Sequence, residues 1–231
     1  MTGVSPSSLG ADTARAIVAQ KPAQLILASQ TETKLQEVIE SLEVPTGTTV
    51  RRLILNLASL ESVRRAALEL TSSVTAIDAM ICTAGIMATS SYQKSEDGFE
   101  LQFAVNHLGH FHFINQLAEQ LLAGHATVVM YTSEAHTRAN LAFLEDLTYD
   151  DGKSYEKWTA YSNSKICNIL TSVGLVKHFG TQGLRSFCVD PGIIVTTSLT
   201  RSVPTEEFRA LGKSFCYLTW CQVTLTFTRL D

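Results

Sequence analysis

Short apolar runs alternate with longer stretches of helical periodicity along most of this chain of 231 residues. Short apolar runs predict strands, and the stretches between them predict helices. Because each crossover between parallel strands lays its helix against the sheet, such alternation favours a parallel sheet with helices on both faces. The sequence therefore predicts an α/β fold, with strands at 24–28, 50–55, 76–82, 126–131 and 184–189.

The composition is that of a folded domain: 45% of the residues are hydrophobic and 17% are charged, so a sizeable core can form. No internal repeat or low-complexity linker divides the chain, which predicts a single domain over residues 1–231. The net charge of −4 and the lack of a basic block argue against a nucleic-acid partner. Since no apolar run is long enough to cross a bilayer and no leader opens the chain, we expect a cytoplasmic protein. The sequence is also compatible with a homo-oligomer.

The cysteines and histidines do not follow a metal-binding pattern. The five cysteines are an odd number without C-x-x-C spacing, which favours reduced, mostly buried thiols. His107, His110 and His112 are spaced i, i+3, i+5, and this spacing does not place three ligands together on one helix. We therefore predict no metal site, and we assign these histidines to the helix surface and to packing beside a cleft.

A glycine-containing turn, TGVSPSSLG at residues 2–10, precedes an alanine-rich helix predicted at 11–19. A helix N-terminus presents free backbone N–H groups and the positive end of the helix dipole, and both favour a pyrophosphate. Glycine also lets the backbone approach a phosphate closely. With two glycines and no strand before them, the turn is equally well explained as an ordinary helix start with serine caps.

Tyr161 and Lys165, four residues apart, lie at the start of a helix predicted at 159–179. This spacing puts both side chains on one helix face. A nearby ammonium lowers the pKa of a tyrosine, which is otherwise a poor acid–base group at neutral pH. The pair alone is also typical of two surface residues on an amphipathic helix. However, Ser133 ends a predicted strand and Asn106 interrupts an apolar helical stretch, so further polar groups stand where a ligand is expected.

With these motifs the chain resembles the short-chain dehydrogenase/reductase family. The resemblance covers residues 2 to about 210 and rests on TG…LG at 2–10, TAG at 83–85, VNHLGHF at 105–111, YTS at 131–133, YSNSK at 161–165 and DPGIIVT at 190–196. VNHLGHF and the long interval from Ser133 to Tyr161 are similar to the retinol-dehydrogenase-like branch, and the serine-rich turn is similar to fungal members. The resemblance implies a Rossmann-type doubly wound sheet and an NADP-dependent oxidoreductase, with NAD less favoured. Its reaction would interconvert a carbonyl and an alcohol on a small hydrophobic, secondary-metabolite-like or lipid-like substrate.

The resemblance also implies roles for single residues. Tyr161 is expected to be the proton donor or base, Lys165 to lower its pKa and hold the nicotinamide ribose, and Ser133 to bind the substrate oxygen. Asn106 is expected to support a water relay to Lys165. The residues expected along the cofactor are Gly3, Leu9, Gly10, Ser29, Gln30, Lys34, Asn56, Ala84, Gly85, Ile194 and Thr196, together with Asn106, Tyr161 and Lys165.

Several cofactor positions depart from the family pattern. Residues 7–8 are serines where a glycine is usual and could crowd the phosphate, and Asn56 replaces an aspartate that accepts from adenine. Ser29 and Gln30 stand where a small residue and an arginine are usual, which removes a bidentate phosphate partner. Since no acidic residue at 29 repels a 2′-phosphate, NADP is favoured, with Lys34 as a helper.

The ends of the chain depart as well: the family's first, central strand is missing, and residues 213–231 no longer resemble the family. The alternating pattern at 223–230 predicts a half-buried strand that could fill a vacant strand position. Two functions stay open, an active oxidoreductase and a truncated, catalytically inactive relative that acts as a binding or regulatory module. A nucleotide-sugar epimerase shares the Tyr/Lys pair, but its additional substrate domain does not fit into 231 residues.

Overall fold

The computed structural model describes residues 1–192 together with Ile194, Thr197, Leu199, Val203, Pro204, Glu206 and Glu207. In this part of the chain, five strands follow the predicted apolar runs: β1 Gln24–Ser29, β2 Thr49–Ile54, β3 Ala79–Cys82, β4 Thr127–Tyr131 and β5 Arg185–Val189. β1 pairs with β2, and β3, β4 and β5 pair in that order, every pair in parallel. The predicted α/β fold with a parallel sheet is confirmed.

Residues 1–4 join the two groups of strands. The Ala28 N–H donates to Met1 O at 2.8 Å, and the Thr2 N–H donates to Ile81 O at 2.9 Å. This segment therefore lies between β1 and β3, so the position of the first strand, which the sequence predicted to be missing, is partly filled at the carboxyl end of the sheet. Burial of the Met1 ammonium between the strands lowers its pKa to about 6.

Helices connect the strands and cover both faces of the sheet. Their bounds are α1 Leu9–Val18, α2 Glu32–Glu40, α3 Leu60–Thr71, α4 Leu101–Phe103, α5 Gly109–Gln116, α6 Ala118–Ala123 and α7 Lys157–Phe179. Serine side chains cap two of them: Ser8 accepts from the Ala11 N–H before α1, and Ser59 accepts from the Ser62 N–H before α3. Each cap satisfies an N–H that the helix itself leaves unpaired, which favours the start of the helix at this residue.

The helical stretch from α4 to α6 is interrupted rather than continuous. A π-helical turn, Ala104–Leu108, separates α4 from α5, and the Gly109 N–H donates to Ala104 O, five residues earlier. A β-carbon on Gly109 would lie 2.5 Å from Leu57 O, so the loop after β2 packs directly on this turn. The periodicity of the sequence does not reveal the interruption, because the close approach involves a distant part of the chain.

Two hydrophobic clusters lie on opposite faces of the sheet. The larger cluster, with Leu121 and Val128, packs α3, α5, α6 and α7 against the strands. The smaller cluster, with Leu27 and Leu35, packs α1 and α2 against β1. Ala28 belongs to the larger cluster and its neighbour Leu27 to the smaller. Because successive side chains of a strand point to opposite faces, the two clusters cover the two sides of one sheet.

Thr196, residues 213–231 and the strand predicted at 223–230 lie outside the described residues. The single-domain organisation therefore stays a prediction. Within the described part of the chain, no helix combines the length and the apolar character that crossing a membrane requires.

Candidate active site

A cleft of about 640 Å³ lies at the carboxyl ends of β1, β3, β4 and β5. Open parallel sheets hold their ligands at this edge. The cleft is lined by most of the predicted site residues, namely Gly3, Leu9, Gly10, Ser29, Gln30, Lys34, Ala84, Gly85, Ser133, Tyr161, Lys165 and Ile194. Asn56 and Asn106 are not among the described residues that line it.

Tyr161 and Lys165 lie in the first half of α7, where both side chains are buried and line the cleft. Glu156 caps α7 one turn before Tyr161 and so fixes where the helix begins. The Ser133 hydroxyl lies near the Tyr161 hydroxyl and acts on it as a hydrogen-bond partner that lowers the Tyr161 pKa. The Lys165 Nζ lies 5.4 Å from the centre of the Tyr161 ring. The fold thus brings a serine, a tyrosine and a lysine from β4 and α7 together at one end of the cleft.

Burial dominates the protonation of these groups. It raises the pKa of Tyr161 to about 12, with a decrease from the hydrogen bond to Ser133 and an increase from Asp190. It lowers the pKa of Lys165 to about 8, against an increase led by Asp190. Burial raises the Tyr161 pKa, and Lys165 is not among the groups that shift it; the Lys165 ammonium donates to Tyr131 O at 3.3 Å. At neutral pH Tyr161 is therefore protonated and Lys165 is a cation.

Asn106 lies behind the cleft, fully buried in the π-helical turn. Its side chain accepts from the Ile86 N–H at 2.8 Å and donates to Ile86 O and Ser164 Oγ, both at 2.9 Å. A β-carbon on Gly85 would lie 3.2 Å from Asn106 Oδ1 and 3.6 Å from Lys165 Nζ, so both groups border the space that this glycine leaves. Asn106 thus ties the segment after β3 to α7, and its part in a water relay stays a prediction.

The turn before α1 fits a pyrophosphate. Gly3 has a φ of +73°, and a β-carbon there would lie 2.5 Å from Ala84 N. A β-carbon on Gly10 would lie 2.3 Å from Gly3 O. Only glycine is compatible with these close approaches, which bring the first turn of α1 against the segment after β3. Ser8 lines the cleft with its hydroxyl engaged in capping α1, and the N-terminus of a capped helix still favours an anion.

Two residues that depart from the family pattern, Ser7 and Asn56, are not among the described residues that line the cleft. Ser7 adopts a left-handed φ of +55°, yet its side chain is exposed and does not line the cleft, so it does not crowd a phosphate. Asn56 Oδ1 accepts from the Ala58 N–H at 3.0 Å, and Asn56 Nδ2 donates to Glu96 Oε1 at 3.4 Å. The Asn56 side chain thus shapes the loop before α3, and its contact with adenine stays a prediction.

The end of the cleft beside β1 is polar and open. It is lined by Ser29, Gln30, Thr31 and Lys34, and both Gln30 and Lys34 are exposed. Among the described residues that line this end, none is acidic and Lys34 is basic. An anionic group such as a 2′-phosphate therefore meets no carboxylate here, but only a water-screened cation.

An apolar wall flanks the ring of Tyr161. Met87, Trp158 and Leu199 pack beside it, and the Trp158 ring meets it edge-on with ring centres 6.4 Å apart. The Trp158 Nε1–H donates to Glu207 Oε1 at 2.7 Å, which fixes the orientation of the indole. Sequence reasoning gave Met87 and Leu199 no role, because these residues come from separate loops and no local spacing marks them.

Comparison with known proteins agrees with this geometry. A family model described as enoyl-(acyl carrier protein) reductase matches residues 3–215. A short-chain dehydrogenase/reductase of Penicillium rubens is 33% identical over 220 residues, which are 93% of this chain and 62% of that protein. The chain belongs to the short-chain dehydrogenase/reductase family. It spans about half to two thirds of the length of the curated relatives it matches, 48% of one and 62% of another.

Solved structures place this short-chain dehydrogenase/reductase on a Rossmann-type fold, as the sequence predicted. A Mycobacterium paratuberculosis protein is 33% identical and matches with a TM-score of 0.70, over 87% of this chain and 69% of that one. A short-chain dehydrogenase from Sphingobium yanoikuyae, solved in complex with NADPH, matches with a TM-score of 0.69 at 19% identity, over 87% of this chain and 73% of that one. The second likeness bears on the fold alone.

Proposed function

We propose that this protein is an NADP-dependent oxidoreductase that interconverts a carbonyl and an alcohol on a small hydrophobic substrate, with Tyr161 as the acid or base. One observation carries the proposal: Ser133, Tyr161 and Lys165 line one cleft, where the Ser133 hydroxyl acts on the Tyr161 hydroxyl as a hydrogen-bond partner that lowers its pKa. Two hydroxyls that meet at one point suit a substrate oxygen that must be bound and protonated in the same step.

The residues of this chain provide the proton and the orientation, and the nicotinamide supplies the hydride when it is bound. Ser133 donates to the carbonyl oxygen, and Tyr161, with a pKa of about 12, gives its proton to the same oxygen as negative charge develops there. The Lys165 ammonium, whose pKa is about 8, stabilises the phenolate that Tyr161 becomes. In the oxidation direction the phenolate takes the proton back from the alcohol.

A dinucleotide fits along the length of the cleft. The first turn of α1 suits the pyrophosphate, and the part of the cleft that Gly85, Tyr161 and Lys165 line suits the nicotinamide ribose. The residues that would hold the cofactor, from the adenosine end to the carboxamide, are Ser29, Gln30, Lys34, Gly3, Leu9, Gly10, Ala84, Gly85, Tyr161, Lys165, Ile194 and Thr196. Asn56 and Asn106 stay predicted members of this set, although neither is among the described residues that line the cleft.

We propose NADP rather than NAD as the cofactor because of the charges of the residues at the end of β1. Ser29 and Gln30 are neutral, and Lys34 is the nearby cation on α2. An acidic residue here would repel a 2′-phosphate and bind the 2′-hydroxyl of NAD instead. The Sphingobium yanoikuyae relative, which has the same fold, was solved with NADPH.

The substrate is proposed to be hydrophobic because its side of the cleft is apolar. Met87, Trp158 and Leu199 pack around the Tyr161 ring and line the cleft. Burial of an apolar group against this wall is favourable at roughly 25 cal/mol per Å². Binding energy from this contact, remote from the reacting oxygen, can hold the carbonyl at the two hydroxyls.

The test measures thermal unfolding with NADPH and with NADH, and then the loss of NADPH absorbance with a panel of hydrophobic aldehydes and ketones. A ligand that binds the folded state raises its stability by mass action. We expect a larger upward shift with NADPH than with NADH, and turnover that Tyr161→Phe abolishes.

Each outcome separates the two functions left open. Turnover that survives in Tyr161→Phe contradicts the catalytic assignment. A shift with NADPH but no turnover on any probe favours the inactive binding module, and no shift with either dinucleotide contradicts the cofactor assignment itself. Tyr92→Phe is the matched control, because this tyrosine lies outside the cleft lining.

A further inference from the structure

His110 is a completely buried imidazole that the proposed mechanism does not use. It lies in α5, behind the cleft, and both of its ring nitrogens have partners. Nε2 is 2.8 Å from Thr2 Oγ1, and Nδ1 is 3.1 Å from Asn106 O. Burial lowers the pKa of His110 to about 4, so the ring is neutral at physiological pH.

The two partners determine which nitrogen carries the proton. A carbonyl oxygen can only accept, so Nδ1 must carry the hydrogen and donate to Asn106 O. Nε2 is then an acceptor, and the Thr2 hydroxyl must donate to it. Thr2 Oγ1 keeps a lone pair and accepts from the Ala84 N–H at 3.3 Å. These three hydrogen bonds form one series in which each group donates to the next, from the Ala84 N–H through Thr2 and His110 to Asn106 O.

This chain of hydrogen bonds connects three segments that border the site. Thr2 precedes Gly3 in the turn before α1, and Ala84 precedes Gly85 in the segment after β3. Asn106 lies in the π-helical turn, and its side chain borders the space at Gly85 together with Lys165 Nζ. A single imidazole therefore joins the turn at residues 2–10 to the π-helical turn Ala104–Leu108. We call the first the pyrophosphate turn and the second the Asn106 turn.

We propose that His110 is a positioning residue, and that its neutral Nδ1–H form sets the separation of the pyrophosphate turn and the Asn106 turn on which cofactor binding depends. The inference rests on the proposed function, which assigns the dinucleotide to this cleft. It requires a side chain with a donor and an acceptor at opposite edges, and a neutral imidazole provides both.

The first experiment reads the tautomer directly, and it does not depend on cofactor or activity. Two-bond ¹H–¹⁵N correlation spectra of the whole chain, labelled with ¹⁵N-histidine, distinguish a protonated ring nitrogen from an unprotonated one. His110→Gln identifies the signal by its loss. We expect a protonated Nδ1 and an unprotonated Nε2 at neutral pH. A protonated Nε2, with or without a protonated Nδ1, overturns the proposal.

The second experiment removes the two hydrogen bonds of the His110 ring, first separately and then together. His110→Asn keeps a donor near the Nδ1 position, His110→Gln keeps a polar group near the Nε2 position, and His110→Phe keeps only the ring. Each lost bond corresponds to roughly a tenfold change in affinity. We expect the NADPH dissociation constant to rise by up to about tenfold in each of the two amide variants, and by more in His110→Phe, which loses both bonds. Thr2→Val removes the bond to His110 and also the bond from the Ala84 N–H, so it should weaken NADPH binding at least as much as His110→Asn.

The control and the readouts separate positioning from folding. His112→Gln changes a histidine of the same helix that has no role in the chain of hydrogen bonds, and it should leave NADPH affinity unchanged. If His110→Phe lowers the melting temperature but binds NADPH as the parent does well below that temperature, His110 is structural only and the proposal is wrong. If the parent itself does not bind NADPH, the proposed function fails, and the tautomer measurement still decides the hydrogen-bond assignment.

Discussion

The two ends of the cleft differ in how their side chains are held. At the reacting end, the whole segment Tyr161–Lys165 is buried, with exposures between 0% and 5%, and the side chains of Asn163, Ser164 and Lys165 are hydrogen-bonded. At the adenosine end, Gln30 and Lys34 are exposed. Burial changes the protonation chemistry of the first group, whereas water screens the charge of the second. Protonation at the reacting end therefore depends on packing, whereas the cofactor preference that we propose depends on the identity of a few exposed residues.

The largest effect is expected from Lys165→Met, which keeps the bulk of the side chain and removes its charge. Loss of the ammonium should lower kcat/KM for reduction by roughly 10²-fold or more. Because the Lys165 pKa is about 8 when folded and 10.5 otherwise, the unfolded state binds more protons between these values and the charged lysine destabilises the fold below pH 8. Activity should therefore fall while the melting temperature stays level or rises by a few degrees.

Lys177→Met is the matched control, since Lys177 is an exposed lysine of the same helix. It should change neither activity nor melting temperature appreciably. If Lys165→Met lowers the melting temperature as strongly as it lowers activity, the lysine supports the fold and the contrast between the two ends is weaker than we infer.

The next effect concerns pH. Tyr161, with a pKa of about 12, stays protonated throughout the accessible range, whereas Lys165 loses its charge as the pH rises through about 8. The rate of reduction should therefore decline above about pH 8. Asp190 raises the Lys165 pKa, so Asp190→Asn should move the decline to lower pH, by roughly half a unit to one unit because this carboxylate is exposed.

The measurement is the pH profile of kcat for NADPH-dependent reduction at saturating substrate. Glu119→Gln, an exposed carboxylate of α6, serves as the control and should leave the profile in place. A profile that does not move in Asp190→Asn, or that moves upward, assigns the decline to a group other than Lys165.

The sequence predicted more of the fold than of the site. Apolar runs predicted the described strands, and the Tyr161 and Lys165 spacing predicted a shared helix face, because both signals are local. The π-helical turn depends on the approach of Leu57 O to Gly109. The Asn56 side chain is held by hydrogen bonds with the Ala58 N–H and with Glu96. Such contacts are set by tertiary packing, which no periodicity in one segment records.

The protonation states at the reacting end were out of reach for the same reason. A lysine four residues after a tyrosine suggested a lowered tyrosine pKa. In the folded protein both groups are enclosed by α7, β4 and the segment after β3, so burial shifts each of them towards its neutral form. The degree of enclosure is a property of the whole fold, and Asp190, which acts on both groups, lies 25 or more positions away in the sequence.

A smaller effect is expected at the adenosine end, from Ser29→Asp. A carboxylate beside the 2′-phosphate should lower kcat/KM with NADPH by about tenfold through like-charge repulsion, and raise it with NADH. Ser29→Asn, neutral and similar in size, is the control and should change the NADPH to NADH ratio little. If the parent already prefers NADH, or if both variants reduce the ratio equally, charge at position 29 does not set the preference. The stability of the fold should be unaffected, because Ser29 is only partly buried at the end of β1.

The smallest effect is expected from Ser7→Gly, in the turn between the two ends. Ser7 has a φ of +55°, a conformation that costs a non-glycine residue roughly 1–2 kcal/mol. Glycine removes this cost but adds roughly 0.4–1 kcal/mol of unfolded-state entropy, so the gain in the free energy of unfolding should be about 0.5 kcal/mol, or one to two degrees in melting temperature.

Ser8→Ala should instead lower the melting temperature, because it removes the cap of α1. NADPH affinity should not change in Ser7→Gly, since the Ser7 side chain is exposed and outside the cleft lining. A change in affinity would show that this turn contacts the phosphate through residue 7, and that the boundary between the packed and the exposed end lies elsewhere.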